Sequence, residues 1–220
     1  NNLTLKNDPA WTASGAVGGA YVLDGGNDYL IDAAGIDFDT KTELTIEFWV
    51  KLTGNSGTDY IISLPDASAG ANGIDFTWAG TNIGARVITH AATPSYLTTS
   101  ASTGQWYHIA LTYDGVTQRL YQNGTEKDSA GVAVTGGLKH NSGEVNIGRF
   151  GSFGAYFNGE VDDIRIYNES LSAGQVYQRW LESKDGLSDS STIVSDETYY
   201  SDSWICRVTP NDNSSDGTPT

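Results

Sequence analysis

A chain of 220 residues with 38% hydrophobic and 11% aromatic residues and 26 glycines has the size and turn content of one large β domain and is too apolar to stay disordered. Its 12 Lys and Arg against 27 Asp and Glu leave a formal net charge of −15, which repels nucleic-acid phosphates and anionic headgroups and suits calcium as a partner. No run of about 18 apolar residues is present, so no membrane insertion by a helix is expected.

In chain order, short strands are predicted at 21–23 and 29–31, followed by a long one at 43–52. There Leu44, Ile46, Phe48, Val50 and Leu52 alternate with Glu43, Thr45, Glu47, Trp49 and Lys51, the period-two pattern of a half-buried strand with the second set facing outward. Further strands are predicted at 60–64, 74–78 and 86–89. Residues 106–113 alternate again, with Tyr107, Ile109, Leu111 and Tyr113 on one face and His108 on the other. A strand over 119–122 runs into Asn123-Gly124, a pair that tolerates the positive φ angles of a type I′ hairpin turn. Strands at 144–148 and 161–167 follow, separated from the rest by Gly, Asn, Asp and Ser clusters at sandwich-like spacing. One helical turn is predicted after 170, with Ser172 as N-cap and Leu171, Val176 and Trp180 covering one end of the core. Beyond residue 182 the chain turns Ser- and Asp-rich before a strand-like run at 204–210. Those last 38 residues, 183–220, are too few for a core of their own, and the expected domain is 1–182 with a β-hairpin appendage.

The blocks L-D-G-G-N-D-Y-L (23–30), L-T-I-E-F-W-V-K (44–51), W-Y-H-I-A-L-T-Y-D-G (106–115), L-Y-Q-N-G (120–124) and N-G-E-V-D-D-I-R-I-Y-N-E-S-L-S (158–172), in this order, resemble the laminin G-like, concanavalin A-like domains of microbial surface proteins. The resemblance covers roughly residues 1–180. It implies an all-β, two-sheet antiparallel jelly-roll sandwich that serves recognition or adhesion, with a glycan or a surface protein as partner and an extracellular or cell-surface location. The tail, S-W-I-C-R-V-T-P-N-D (203–212), resembles the last strands of an immunoglobulin-like repeat. It suggests homo-assembly through the C-terminal segment, and with it an alternative role as a subunit or spacer of a surface filament, layer or stalk. Cys206 has no second cysteine to pair with and reads as a buried thiol.

Calcium takes six to eight oxygens, and Asp24, Asn27 and Asp28 around Gly25-Gly26 offer several. Asp162 shares parity with Ile164 and Ile166 and is expected to point inward. Related domains hold calcium between an early Gly/Asp turn and an Asp of the last long strand, so the resemblance implies these four residues as ligands. The same residues also read as turn caps bonded to backbone amides, and both readings stay open. His90, His108 and His140 lack zinc spacing. The E-x-D-x-x-E array of a glycoside hydrolase is absent, which leaves catalysis the weakest reading. Trp78, Tyr96, Phe153 and Tyr156 lie near polar loops and could stack on sugar rings. Four sequons, at Asn2, Asn123, Asn168 and Asn213, are compatible with export and glycosylation.

Overall fold

The computed structural model describes residues 3–55, 57–66, 71–128, 135–139, 143–151 and 154–186. In chain order the strands are β1 (Thr4–Lys6), β2 (Ala10–Thr12), β3 (Ala20–Asp24), β4 (Tyr29–Asp32), β5 (Leu44–Leu52), β6 (Thr58–Asp66), β7 (Ala71–Ala79), β8 (Asn82–Val87), β9 (Leu97–Ser100), β10 (Trp106–Tyr113), β11 (Gln118–Gln122), β12 (Thr125–Asp128), β13 (Val145–Ile147) and β14 (Asn158–Tyr167). A single helix, α1 (Ala173–Ser183), follows. The strands form two seven-stranded antiparallel sheets. The front sheet runs β1-β4-β13-β6-β7-β8-β9 and the back sheet β12-β11-β10-β5-β14-β3-β2. The expected jelly-roll sandwich is what forms.

Alternation builds the core. Leu44, Ile46, Phe48, Val50 and Leu52 of β5 and Ile109, Leu111 and Tyr113 of β10 meet Ile62, Ile74, Phe76, Ile83 and Val87 of the front sheet, all completely buried. Phe48 and Phe76 touch across the interface edge to face, with centroids 4.9 Å apart; the ring edge meets the ring face, as the quadrupoles favour. The Asn123-Gly124 turn forms as predicted, with φ of 51° and 71° and Gln122 paired to Thr125.

Three expectations are corrected. Strand β5 is buried on both faces, because Thr45, Glu47 and Trp49 are covered as fully as the core set. The helix supplies the cover, and it is three turns long rather than one. Ser172 caps it with a reciprocal box: its Oγ accepts from Gln175 N at 3.2 Å while Gln175 Oε1 accepts from Ser172 N at 2.8 Å. Leu171 and Val176 pack on Ala110 and Tyr121, on the outer face of the back sheet and not at an end of the main core. Trp49 Nε1 donates to Ser183 Oγ at 3.0 Å, pinning the last helical turn to the same face. The third correction concerns 86–89: the strand begins four residues earlier, and Thr89 leaves it to bridge Leu138. The C-terminal appendage lies outside the described residues apart from 183–186.

Candidate functional site

Side chains that alternate with the core set on the front sheet project outward, and at one level they line up across four strands. Register pairs Asn146 of β13 with Ser63 of β6, Ser63 with Asp75 of β7, and Asp75 with Arg86 of β8. At about 4.8 Å per strand the row spans about 14 Å, the length of two to three sugar rings. Each member has internal partners. Asp75 Oδ2 receives Arg86 Nε and Nη2, each at 3.1 Å, and the Tyr96 hydroxyl at 3.3 Å. Ser63 Oγ donates to the Arg149 carbonyl at 2.9 Å, and Asn146 Oδ1 accepts from Arg149 Nε at 2.9 Å. Glu144 lies beside them, 3.3 Å from Asn146 Nδ2 and 3.5 Å from Arg149 Nη2.

Aromatic rings lie over this polar floor. The Arg86 guanidinium stacks 4.2 Å from the Tyr96 ring, and that of Arg149 3.7 Å from the Tyr29 ring. Tyr60 and Phe150 lie 4.6 Å apart at 34°, and Tyr29 and Tyr156 are 6.4 Å apart. All five rings are half-buried. Backbone bonds set several of them: Phe150 N donates to Gly154 O and Tyr60 N to Ala155 O, with Gly154 and Ala155 at φ 83° and 56°. Tyr96 lies against Gly84, where a Cβ would come within 3.2 Å of its ring. Burial, and then the Asp75 carboxylate, push the Tyr96 hydroxyl far above its ordinary range, so it remains a neutral donor.

Of the residues expected to stack on a ligand, Tyr96 and Tyr156 lie on this face and Phe153 falls outside the described residues. Trp78 does not belong to it. It points into the core with Ile74 and Phe76 and meets Phe157 edge-on at 6.4 Å. Its parity in the strand it shares with them carried that signal. Tyr29, Tyr60, Asp75, Arg86, Asn146 and Arg149 were missed, because only strand register brings them together.

The expected calcium ligands do not share one coordination sphere. Asp24 Oδ1 accepts from Gly26 N at 2.7 Å and Asn27 N at 3.3 Å, and the Gly26 amide above all holds this carboxyl below its ordinary value. Burial, and then the Asp24 charge, push Asp28 up. Register pairs Asp24 with Asn158 and Tyr21 with Val161, so Asp162 lies four residues farther along β14, about 13 Å away, where calcium–oxygen bonds measure about 2.3–2.6 Å. A bulge between Asp162 and Arg165, with Asp163 at φ 44°, shifts the register by one residue. Asp162 therefore faces the Trp49 side while Ile166 pairs with Ile46, and the expected common parity fails. Its Oδ2 accepts from Val17 N and its Oδ1 from Asp163 N, each at 2.7 Å. Burial raises its pKa despite these amides. Among the described residues no group of three His, Cys, Asp or Glu side chains is placed to hold a metal.

Glu47, expected to face outward, is buried among side chains of β10 and β14. Tyr167 donates to its Oε1 at 2.9 Å, with His108 Nε2 at 3.6 Å from Oε2 and Arg165 Nη1 at 4.0 Å from Oε1. Burial raises its pKa, but these neighbours, His108 first, outweigh it and hold the carboxyl below its ordinary value. The Tyr167 hydroxyl is pushed up to about 12 by burial and by Glu47. His90 bonds Asp39 at 2.6 Å, and His140 lies outside the described residues. Of the sequons, Asn168 is exposed between β14 and α1, Asn123 is bound in its turn with Oδ1 accepting from His108 N at 3.0 Å, and Asn2 and Asn213 lie outside the described residues.

Solved structures with this fold include the binding domain of botulinum neurotoxin serotype G (TM-score 0.67, 17% identity, covering 82% of this chain and 46% of that one). The serotype D ligand-binding domain in complex with N-acetylneuraminic acid is similar at TM-score 0.66 and 15% identity, over 82% of this chain and 45% of that one. Domain 4 of AbnA, an extracellular arabinanase from Geobacillus stearothermophilus, in complex with arabinotriose, matches at TM-score 0.60 and 20% identity, over 80% of this chain and 85% of that one. The chain thus spans slightly less than half of the toxin domains and most of the arabinanase domain. No curated protein sequence matches significantly. Residues 24–177 match the laminin G-like family described as the Concanavalin A-like lectin/glucanases superfamily, and the chain belongs to that family.

Proposed function

We propose that the chain is a non-catalytic, extracellular glycan-recognition module whose binding surface is the outer face of the front sheet. The observation that carries this reading is the set of five half-buried rings, Tyr29, Tyr60, Tyr96, Phe150 and Tyr156, fixed over an internally paired polar row. Rings held in this way offer apolar faces to sugar C–H groups at little entropic cost, and neighbouring hydroxyls and carboxylates bond the sugar hydroxyls. The arabinotriose complex of the arabinanase domain supports the same reading. Asp75 is paired with Arg86 and buried, which suits a structural carboxylate better than the raised-pKa acid that glycoside hydrolysis needs. Calorimetric titration with a panel of neutral and charged oligosaccharides tests the assignment. Tyr60→Ala is expected to weaken binding about tenfold, the equivalent of about 1.4 kcal/mol, without unfolding the chain. Unchanged affinity in that variant would move the site elsewhere.

A second reading, a subunit or spacer that associates with its own copies, is supported by the edge strands β1 and β2. Leu5 of edge strand β1 and Trp11 of edge strand β2 are 45% and 64% exposed. Unpaired edge strands with apolar side chains are templates for pairing with another chain.

A further inference from the structure

The charges on the front face select among glycans. Both arginines there are withdrawn: the Arg86 side chain is 16% exposed and that of Arg149 12%. Each lies against an aromatic ring and is matched by a carboxylate, Asp75 for Arg86 and Glu144 for Arg149. Glu144, by contrast, is 41% exposed. Among the described residues, an approaching ligand therefore meets tyrosine rings and the accessible Glu144 carboxylate, while the guanidinium groups lie beneath. Lys6, exposed on edge strand β1 and paired in register with Tyr29, is at the margin of this surface. The far field adds to the local one, since the whole chain carries a formal −15.

We infer that the face is selective for neutral oligosaccharides of two to three rings and discriminates against sugars bearing carboxylates, such as uronic and sialic acids. This inference rests on the glycan-recognition reading above and adds the ligand class to it. A neutral sugar brings hydroxyl donors, which an exposed carboxylate accepts, and C–H faces, which the rings accept. A sugar carboxylate brings a second anion to within a few ångströms of Glu144, while the two arginines described on this face are already engaged with carboxylates rather than open to the bidentate pair that acidic-sugar recognition uses.

The test is calorimetric titration of the intact chain with arabinotriose, xylotriose and cellotriose on one side and trigalacturonate and 3′-sialyllactose on the other, at low and at high salt. At least one neutral trisaccharide is expected to bind at least about fivefold more tightly than either acidic probe at low salt. That ratio should shrink as salt screens the repulsion and in Glu144→Gln, and widen in Lys6→Ala, which removes the cation at the margin of the face. An acidic probe that binds as tightly as the neutral ones, or whose affinity falls with salt, would overturn the inference while leaving glycan recognition intact. Binding of no probe at millimolar concentration removes glycan recognition itself, and the inference with it.

Discussion

Asp162 is a carboxylate that water barely reaches, and the amides that face it set what its removal costs. Val17 N and Asp163 N each donate to it at 2.7 Å, so it ties the 15–18 turn, closed by Gly15 N to Gly18 O, to β14. Asp162→Ala leaves both amides without an acceptor and is expected to cost about 1–3 kcal/mol per buried unsatisfied donor. Hydrogen exchange should speed up selectively at Val17 and its neighbours. Because Asp24 and Asp162 are each occupied with backbone amides and lie far apart, thermal unfolding should keep the same midpoint in excess calcium and in chelator. A midpoint several degrees lower on chelation, the linkage expected of a metal bound only to the folded state, would instead restore a structural ion. Glu47 gives a second, pH-resolved test. Its pKa is lowered on folding, so the stability it contributes is present above its ordinary value near 4.5 and is lost as pH falls through the folded value. Asp28 and Asp162 are shifted upward and act with the opposite sign in the same range. The difference between the chain and Glu47→Gln in urea titrations from pH 6 to pH 3 isolates the contribution of Glu47. It should be about 1–3 kcal/mol at pH 6 and shrink toward acid.

At the scale of elements, the back sheet depends on α1 for its second cover, and two positions report on that dependence separately. Ser172→Ala removes the cap and is expected to cost about 1 kcal/mol. Gly124→Ala acts from the other side, since a Cβ there would lie within about 3 Å of both Trp180 and Tyr177 at a φ of 71°. It should cost more than the cap and also slow the hairpin of β11 and β12, both measurable by denaturant unfolding and refolding. These elements also mark where the sequence was legible. The alternation in 44–52 and 106–113 and the Asn-Gly turn were readable because period and turn chemistry are local. The helix was read too short, since its buried apolar set is sparse, Val176 with Leu171 just before it, and its last turn is held by a polar bond, Trp49 to Ser183. Strands β1, β2, β9 and β12 escaped because each is three or four residues long and largely polar or exposed. The misplacement of Asp162 has the same kind of cause, for a bulge is decided by the partner strand and leaves no mark in the period. The front-face row required the register of four strands at once, which no single-segment pattern contains.

Over the whole molecule the two sheets close on one side and stay open on the other. On the closed side Gln122 accepts from Thr99 Oγ1 at 3.0 Å and donates to the Ser100 carbonyl at 2.9 Å, while Thr98 N donates to Asp128 at 3.1 Å. Sheet edges are stitched there by side chains. On the open side, β1 and β2 end the two sheets among the described residues, and a cavity of about 310 Å³ opens between β4 and β13 of the front sheet and β14 of the back sheet, lined by Leu3, Asp32, Ile36, Val145, Ile147, Ile164 and Ile166. Leu3 is 42% exposed at its rim, near Leu5, and the Trp11 indole lies over Gly19. Apolar side chains on strands that end their sheets among the described residues favour association with a second copy, since burying them recovers hydrophobic free energy at about 25 cal/mol per Å² and pairs edge amides. Strands of three residues offer few such amides, so the association is expected to be weak and reversible. Sedimentation velocity should show a concentration-dependent dimer in the range of tens to hundreds of micromolar, abolished in Trp11→Glu and in Leu5→Glu without change in the unfolding midpoint beyond about 1 kcal/mol. A chain that stays monomeric throughout that range would confine function to the front face, where the tyrosines already present an ordered surface to a ligand.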